Sequence, residues 1–183
     1  MNIANKLTIL RILLIPFFLA CFYIPFLDQP FDLRSSTTNA HVLALIIFII
    51  AALTDWLDGY LARKLILTSD FGKFMDPLAD KMLTTAAFLI FISQGILASW
   101  IVFLILTREF IVSGFRMIAA SKGKVIAAGW SGKFKTVLQF FLIIILLIHP
   151  QLTFFNQLLV YSMTIVTVYS GFEYVSQNIE ILK

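Results

Sequence analysis

Charge is what this sequence has least of. Asp, Glu, Lys and Arg make up 13% of its 183 residues, against about 25% in soluble globular domains. So few ionised groups cannot cover a surface that faces water. Cysteine is almost missing as well: Cys21 stands alone, which excludes an intramolecular disulfide framework. Internal repeats and low-complexity segments are absent, and no polar stretch is long enough to form a separate soluble domain. What fills the chain is apolar: 60% of the residues are hydrophobic and the mean hydropathy is +0.95. The expected solvent is a bilayer.

Six apolar stretches are long enough to span one, at about Leu7–Leu27, His41–Leu61, Pro77–Gln94, Trp100–Ala119, Phe134–His149 and Thr153–Gln177, since a span needs roughly 17–25 residues. The expected fold is all-α: a polytopic membrane protein of six transmembrane helices forming a single domain over residues 1–183. Of the 14 Lys and Arg residues, only Arg34 falls in a loop on one side. Lys6, Arg11, Arg63, Lys64, Lys73, Lys122, Lys124, Lys133, Lys135 and Lys183 lie on the other. The positive-inside rule places both termini in the cytoplasm, and topology alone accounts for Lys64 and Lys183. Lys6 and Arg11 before an apolar run resemble a signal peptide, and Phe18-Leu19-Ala20-Cys21 faintly resembles a lipoprotein cleavage site. The length of the first span and the spans that follow favour a retained anchor.

The informative segment runs from Asp55 to Asp80. Asp55 and Asp58 are three residues apart and Asp76 and Asp80 four apart, so each pair shares a helix face. A short connection makes spans two and three antiparallel neighbours, and the pairs converge at one membrane face. Asp76-Pro77 reads as a helix start, with Asp as N-cap and Pro at N1. An Asp at a span centre costs about 2.5–3.5 kcal/mol, less near the interface. Clustered carboxylates also repel one another. A structural role gains nothing from such clustering, whereas a hard divalent cation resolves it. Four carboxylates suffice for two ions that share ligands, an arrangement suited to in-line phosphoryl displacement. Gly59 and Ala62, three residues apart, leave room for a flat base or for a neighbouring helix.

The pattern D-x2-D-G-x2-A-R-x8-G-x3-D-x3-D, filled here by Asp55, Asp58, Gly59, Ala62, Arg63, Gly72, Asp76 and Asp80, resembles the signature of the CDP-alcohol phosphatidyltransferases. The resemblance extends over the whole chain, because that family folds as a six-span bundle, commonly a homodimer. It implies two divalent ions, Mg²⁺ or Mn²⁺: one held by Asp55, Asp58 and Asp76, the other by Asp55, Asp76 and Asp80. It implies Asp80 as the general base, and Asp58, Gly59 and Ala62 facing the cytidine of a CDP-linked lipid, with Arg63 and Gly72 close by.

Three further segments resemble the branch of the family whose acceptor is glycerol 3-phosphate, the phosphatidylglycerophosphate synthases. They are Asn5-Lys-Leu-Thr8-Ile-Leu-Arg11, Arg108-Glu109-Phe-Ile-Val-Ser113-Gly-Phe-Arg116 and Gly132-Lys133-Phe-Lys135-Thr136. The first is the least specific; its Thr8 and Arg11 are candidates for the diphosphate of the lipid donor. The other two make sense as an anion site, since a phosphate on the acceptor is matched by Arg or Lys. Arg116 and Lys135 are the expected main phosphate contacts, supported by Arg108 and Lys133. An ionisable residue inside a span is a functional candidate, although an ion pair with Glu109 or an aspartate would also account for Arg108. Anionic headgroups would account for Lys133 and Lys135.

The resulting expectation is transfer of the phosphatidyl group of CDP-diacylglycerol to glycerol 3-phosphate, on the cytoplasmic side of a bacterial inner membrane. Three rivals stand beside it. One is the same chemistry with glycerol, serine, inositol phosphate or phosphatidylglycerol as acceptor. Another is a polyprenyl transferase, whose N-D-x-x-D motif is not matched by Thr54 before Asp55. The third is a divalent-cation carrier, which would spread its acids along several spans. His41 and His149 are expected at the membrane interface, Trp100 and Trp130 in aromatic belts, and Glu173 is left as a pairing residue without a partner.

Overall fold

The structure, a computed structural model, describes the backbone of residues 3–31, 37–65, 70–123, 126, 129–151 and 153–182. Side chains are described over the same residues except 3–6, 55–65, 70–77, 80, 181 and 182. Six α-helices follow in order: α1 (Ile3–Ala20), α2 (Asn39–Leu65), α3 (Asp70–Ser93), α4 (Ser99–Ser121), α5 (Trp130–Ile148) and α6 (Phe154–Asn178). Short 3-10 turns occupy Pro25–Asp28 and Ile179–Leu182. Among the described residues there is no strand, only an isolated bridge between Pro30 and Thr38. The all-α expectation holds. Runs of Leu, Ile, Phe and Ala bounded by Gly and Pro give helices because a backbone outside water must bond to itself.

Several boundaries differ from the sequence reading, most informatively at three helix ends. The first helix ends at Ala20 rather than Leu27, and a turn at 21–23 leads into the 3-10 segment. Pro25 keeps the helix from resuming, since the residue before a proline is pushed out of the helical region, and Ile24 is extended at φ −92° and ψ 110°. The fifth helix begins at Trp130, four residues before Phe134. The third begins at Asp70, so Asp76 is not its N-cap and Pro77 lies inside it. Pro77 has no N–H to offer the carbonyl four residues back, and the helix continues through that gap. Pro16 sits inside α1 in the same way.

The chain divides into two compact units, residues 1–93 with 146–150 and residues 94–145 with 151–183. In the first, α1 packs against both α2 and α3, and α2 meets α3. Phe18, Phe48, Phe88 and Phe91 are fully buried, with the Phe18 and Phe48 rings 6.4 Å apart. Ala44, Ala51, Ala79 and Ala87 are also fully buried, the small residues that let apolar helices approach closely. His41 is buried beneath the start of α2. Its Nδ1 lies 2.8 Å from the Thr38 hydroxyl, and its ring stands edge-on to Phe22. The Thr37 hydroxyl donates to the carbonyl of Ile148 at 2.6 Å.

In the second unit α4 packs along α6. Val112 and Phe115 of α4 close around Tyr174 of α6. Thr153 caps α6, its side chain accepting from the Asn156 N–H. Outward faces are apolar: Phe103, Phe110, Met117, Phe141, Ile165 and Phe172 are each 60–75% exposed. Exposed apolar area on this scale needs an apolar environment. By length and composition, α5 and α6 can each cross a membrane.

Candidate active site

The aspartates fall on two helices that meet. Asp55 and Asp58 are in α2, Asp76 and Asp80 in α3, and four residues separate the two helices. Their side chains, with those of Asn5, Gly59, Ala62, Arg63 and Gly72, lie outside the described residues. The helical backbone keeps each pair on one face. Thr8 and Arg11 stand on α1, the helix packed against both α2 and α3. They are 0% and 1% exposed, and neither is without a partner. A guanidinium buried in so apolar a unit is sustained only by polar or charged neighbours. Thus α1, α2 and α3 collect a cation and four carboxylate-bearing positions in one unit.

The second unit holds the remaining cations. Arg108 of α4 threads between the other two helices. Its Nε donates to the Ser170 hydroxyl of α6 at 3.2 Å, and its Nη1 reaches Glu109 Oε1 at 3.4 Å. Two glycines make the passage. A Cβ on Gly171 would stand 2.8 Å from Arg108 Cγ, and one on Gly132 would stand 3.2 Å from Nη2. Lys135 enters from α5, 1% exposed, and donates to Glu109 Oε1 and Gln139 Oε1. One carboxylate oxygen therefore faces both Arg108 and Lys135. The ion pair weighed for Arg108 is present, and Lys135 shares it.

Arg116 and Lys133 are placed differently. Arg116, two turns along α4 from Arg108, is exposed, with its guanidinium carbon 6.0 Å from the centroid of the Tyr174 ring. Lys133 is exposed and its Nζ lies 5.8 Å from the Trp130 ring. Arg108 and Lys135 thus meet through Glu109, while Arg116 adjoins them by way of Tyr174 and Lys133 faces outward. Sequence reasoning missed Gln139, Ser170, Gly171 and Tyr174. The first carries a signal, since it lies four residues after Lys135 on the same face. Ser170 and Gly171 give only a pair of small residues in an apolar helix. Glu173 finds Gln177, whose Nε2 donates to Oε1 at 3.3 Å, while its Oε2 is buried without a hydrogen bond among the described residues.

An arrangement of this kind can bind anions on one set of cations and metal ions on a separate set of carboxylates. The sequence model of the family described as CDP-alcohol phosphatidyltransferase matches residues 1–169. A Bacillus subtilis (strain 168) protein named CDP-diacylglycerol--glycerol-3-phosphate 3-phosphatidyltransferase is 43% identical over 189 aligned positions, covering 100% of this chain and 97% of its own length. A protein of the same name from Yersinia pestis (strain Pestoides F) is 36% identical, covering 96% and 94%. Another from Haemophilus influenzae is 43% identical over 143 positions, covering 75% and 71%. With the family match running from the first aspartate helix through the basic cluster, this chain belongs to the CDP-alcohol phosphatidyltransferase family.

Proposed function

We propose that the chain transfers the phosphatidyl group of CDP-diacylglycerol to sn-glycerol 3-phosphate, giving phosphatidylglycerophosphate and CMP. The observation that carries this reading is the full-length similarity to proteins named for that reaction. The buried Arg108–Glu109–Lys135 group, which supplies cations for a phosphorylated acceptor, agrees with it. We read both units as one catalytic domain, residues 1–183. Six helices cross a bacterial inner membrane, both termini are cytoplasmic, and the functional form is a homodimer.

The donor chemistry of α2 and α3 fits hard divalent ions, because carboxylates are the ligands that Mg²⁺ and Mn²⁺ take. Asp55, Asp58 and Asp76 would hold one ion, and Asp55, Asp76 and Asp80 the other. When bound, the two ions neutralise the diphosphate and offset the charge that develops on the leaving group. The chain's own residues do the rest. Asp58, Gly59 and Ala62 seat the cytidine beside Arg63 and Gly72. Asn5, Thr8 and Arg11 hold the donor's diphosphate. Arg108, Arg116, Lys133 and Lys135 gather the acceptor's phosphate, orienting its hydroxyl toward the donor. Asp80 accepts the hydroxyl proton. The acceptor oxygen bonds to the phosphorus that carries the lipid, the bond from that phosphorus to the bridging oxygen breaks, and CMP leaves with the electron pair.

Replacing Asp80 tests the assignment of the base. Asp80→Asn removes a carboxylate that serves as both base and ligand, and turnover is expected to fall at least about 100-fold. An Asp80→Asn protein with wild-type turnover would overturn the assignment.

A further inference from the structure

Tyr174 presents a problem that neither packing nor the roles assigned so far resolve. It is 6% exposed, and its hydroxyl is buried with no hydrogen-bond partner among the described residues. Buried hydroxyls are nearly always bonded, because leaving water without a replacement partner costs about 1–3 kcal/mol. Phenylalanine would fill the same space beside Val112 and Phe115 without that cost. The hydroxyl needs a partner that the described residues do not supply.

Its surroundings indicate the chemistry of that partner. Tyr174 lies four residues after Ser170, one turn along the same face of α6, and the Ser170 hydroxyl accepts from Arg108 Nε. The Arg116 guanidinium carbon stands 6.0 Å from the Tyr174 ring. Arg108 interacts electrostatically with both Arg116 and Tyr174. The phenol therefore sits in the field of two guanidinium groups, only one of which is bound to a carboxylate among the described residues. Arg108 itself is not fully engaged. Nε and Nη1 have acceptors, whereas Nη2, beside Gly132, has none among the described residues. An idle O–H donor and an idle guanidinium edge in one locality suit an oxyanion, which accepts from both.

We propose that the Tyr174 hydroxyl is a ligand of the acceptor's phosphate, donating to one of its oxygens while Arg108 Nη2 and Arg116 bind the others. The inference rests on the proposed use of a phosphorylated acceptor and adds a residue that senses the phosphate through an O–H. Ser170 and Glu109 hold two edges of the Arg108 guanidinium and so fix the direction of the third. Tyr174, with only two rotatable side-chain bonds and a ring wedged against Phe115 at 6.3 Å, is fixed in the same way. Acceptor binding then replaces an unsatisfied buried donor with a charge-assisted hydrogen bond, and an alcohol without a phosphate gains nothing from it. Such an asymmetry discriminates between acceptors, because the site's polar groups stay unpaired with the wrong one.

The test is Tyr174→Phe, which keeps the ring and removes only the oxygen. In purified full-length protein, KM for glycerol 3-phosphate is expected to rise about tenfold, the loss of one hydrogen bond to a charged group. The change in kcat should be smaller, KM for CDP-diacylglycerol should not move, and the melting temperature of the substrate-free protein should hold or rise, since an unbonded buried hydroxyl has been removed. A glycerol 3-phosphate KM within twofold of wild type, or equal rises for both substrates, would overturn the proposal. A second measurement leaves the side chain in place. With 3-fluorotyrosine at position 174, the fluorine resonance should shift on saturation with glycerol 3-phosphate, and no shift would contradict the assignment. Wild-type protein that uses no phosphorylated acceptor would overturn the acceptor reading and this inference together. A wild type dependent on glycerol 3-phosphate beside an indifferent Tyr174→Phe would overturn the inference alone.

Discussion

At Glu109 a single carboxylate oxygen faces both Arg108 and Lys135. Breaking a buried pair by removing one partner leaves charge uncompensated, at about 3–5 kcal/mol. Glu109→Gln removes the carboxylate charge that Arg108 and Lys135 share, so it should lower the unfolding free energy by about 3 kcal/mol. Thermal unfolding in detergent measures this, and an unchanged melting temperature would refute the pairing. Gly171 gives a steric counterpart. A methyl group there would stand 2.8 Å from Arg108 Cγ, so Gly171→Ala forces the arginine stem aside. An overpacking cost of about 1–3 kcal/mol is expected, together with a raised KM for the acceptor. Gly132→Ala should be milder, because the nearest atom is the far end of the same side chain at 3.2 Å. The cations of this cluster were legible in the sequence from their charge inside apolar spans. Gln139, Ser170 and Tyr174 were not, since a neutral polar residue in a helix gains its meaning only from what the neighbouring helix sets beside it.

At the scale of elements, hydrophobic run length indicated all six helices, whereas their ends depended on local chemistry that run length does not record. The first helix stops at Ala20, ahead of Pro25, and Pro77 does not start the third, which begins at Asp70. Proline marks a boundary only when the backbone before it has no helical alternative, and residues 70–75 take one. Capping is clearer at α6, where Thr153 accepts from the Asn156 N–H at 3.3 Å. Thr153→Ala should cost about 1 kcal/mol, detectable as earlier exchange of amides in the first turn of α6. Unaltered exchange there would argue against the cap. The aspartate pairs were legible because their spacing is itself helical, and α2 and α3 carry them on adjoining helices as that spacing requires.

At the scale of the whole molecule, the asymmetry of basic residues predicts cytoplasmic termini. Cys21, the single cysteine, is 3% exposed, so cysteines introduced at the termini can be labelled against a silent background. Impermeant maleimide should label them only after the cytoplasmic face is opened, and labelling of sealed, right-side-out vesicles would reverse the topology. Fold class and reaction class were legible together because long apolar runs and the family's aspartate pattern are both written in residue type and spacing. The cluster proposed for the acceptor was less so, because its side chains converge from α4, α5 and α6. Chelation of divalent ions should abolish activity, and Mg²⁺ or Mn²⁺ should restore it. The most direct test of the whole account is CMP release by purified protein given CDP-diacylglycerol, Mg²⁺ and one acceptor at a time. The account predicts release with glycerol 3-phosphate, accompanied by phosphatidylglycerophosphate, and little with glycerol, serine or inositol phosphate. Release with one of those alcohols and none with glycerol 3-phosphate would contradict it.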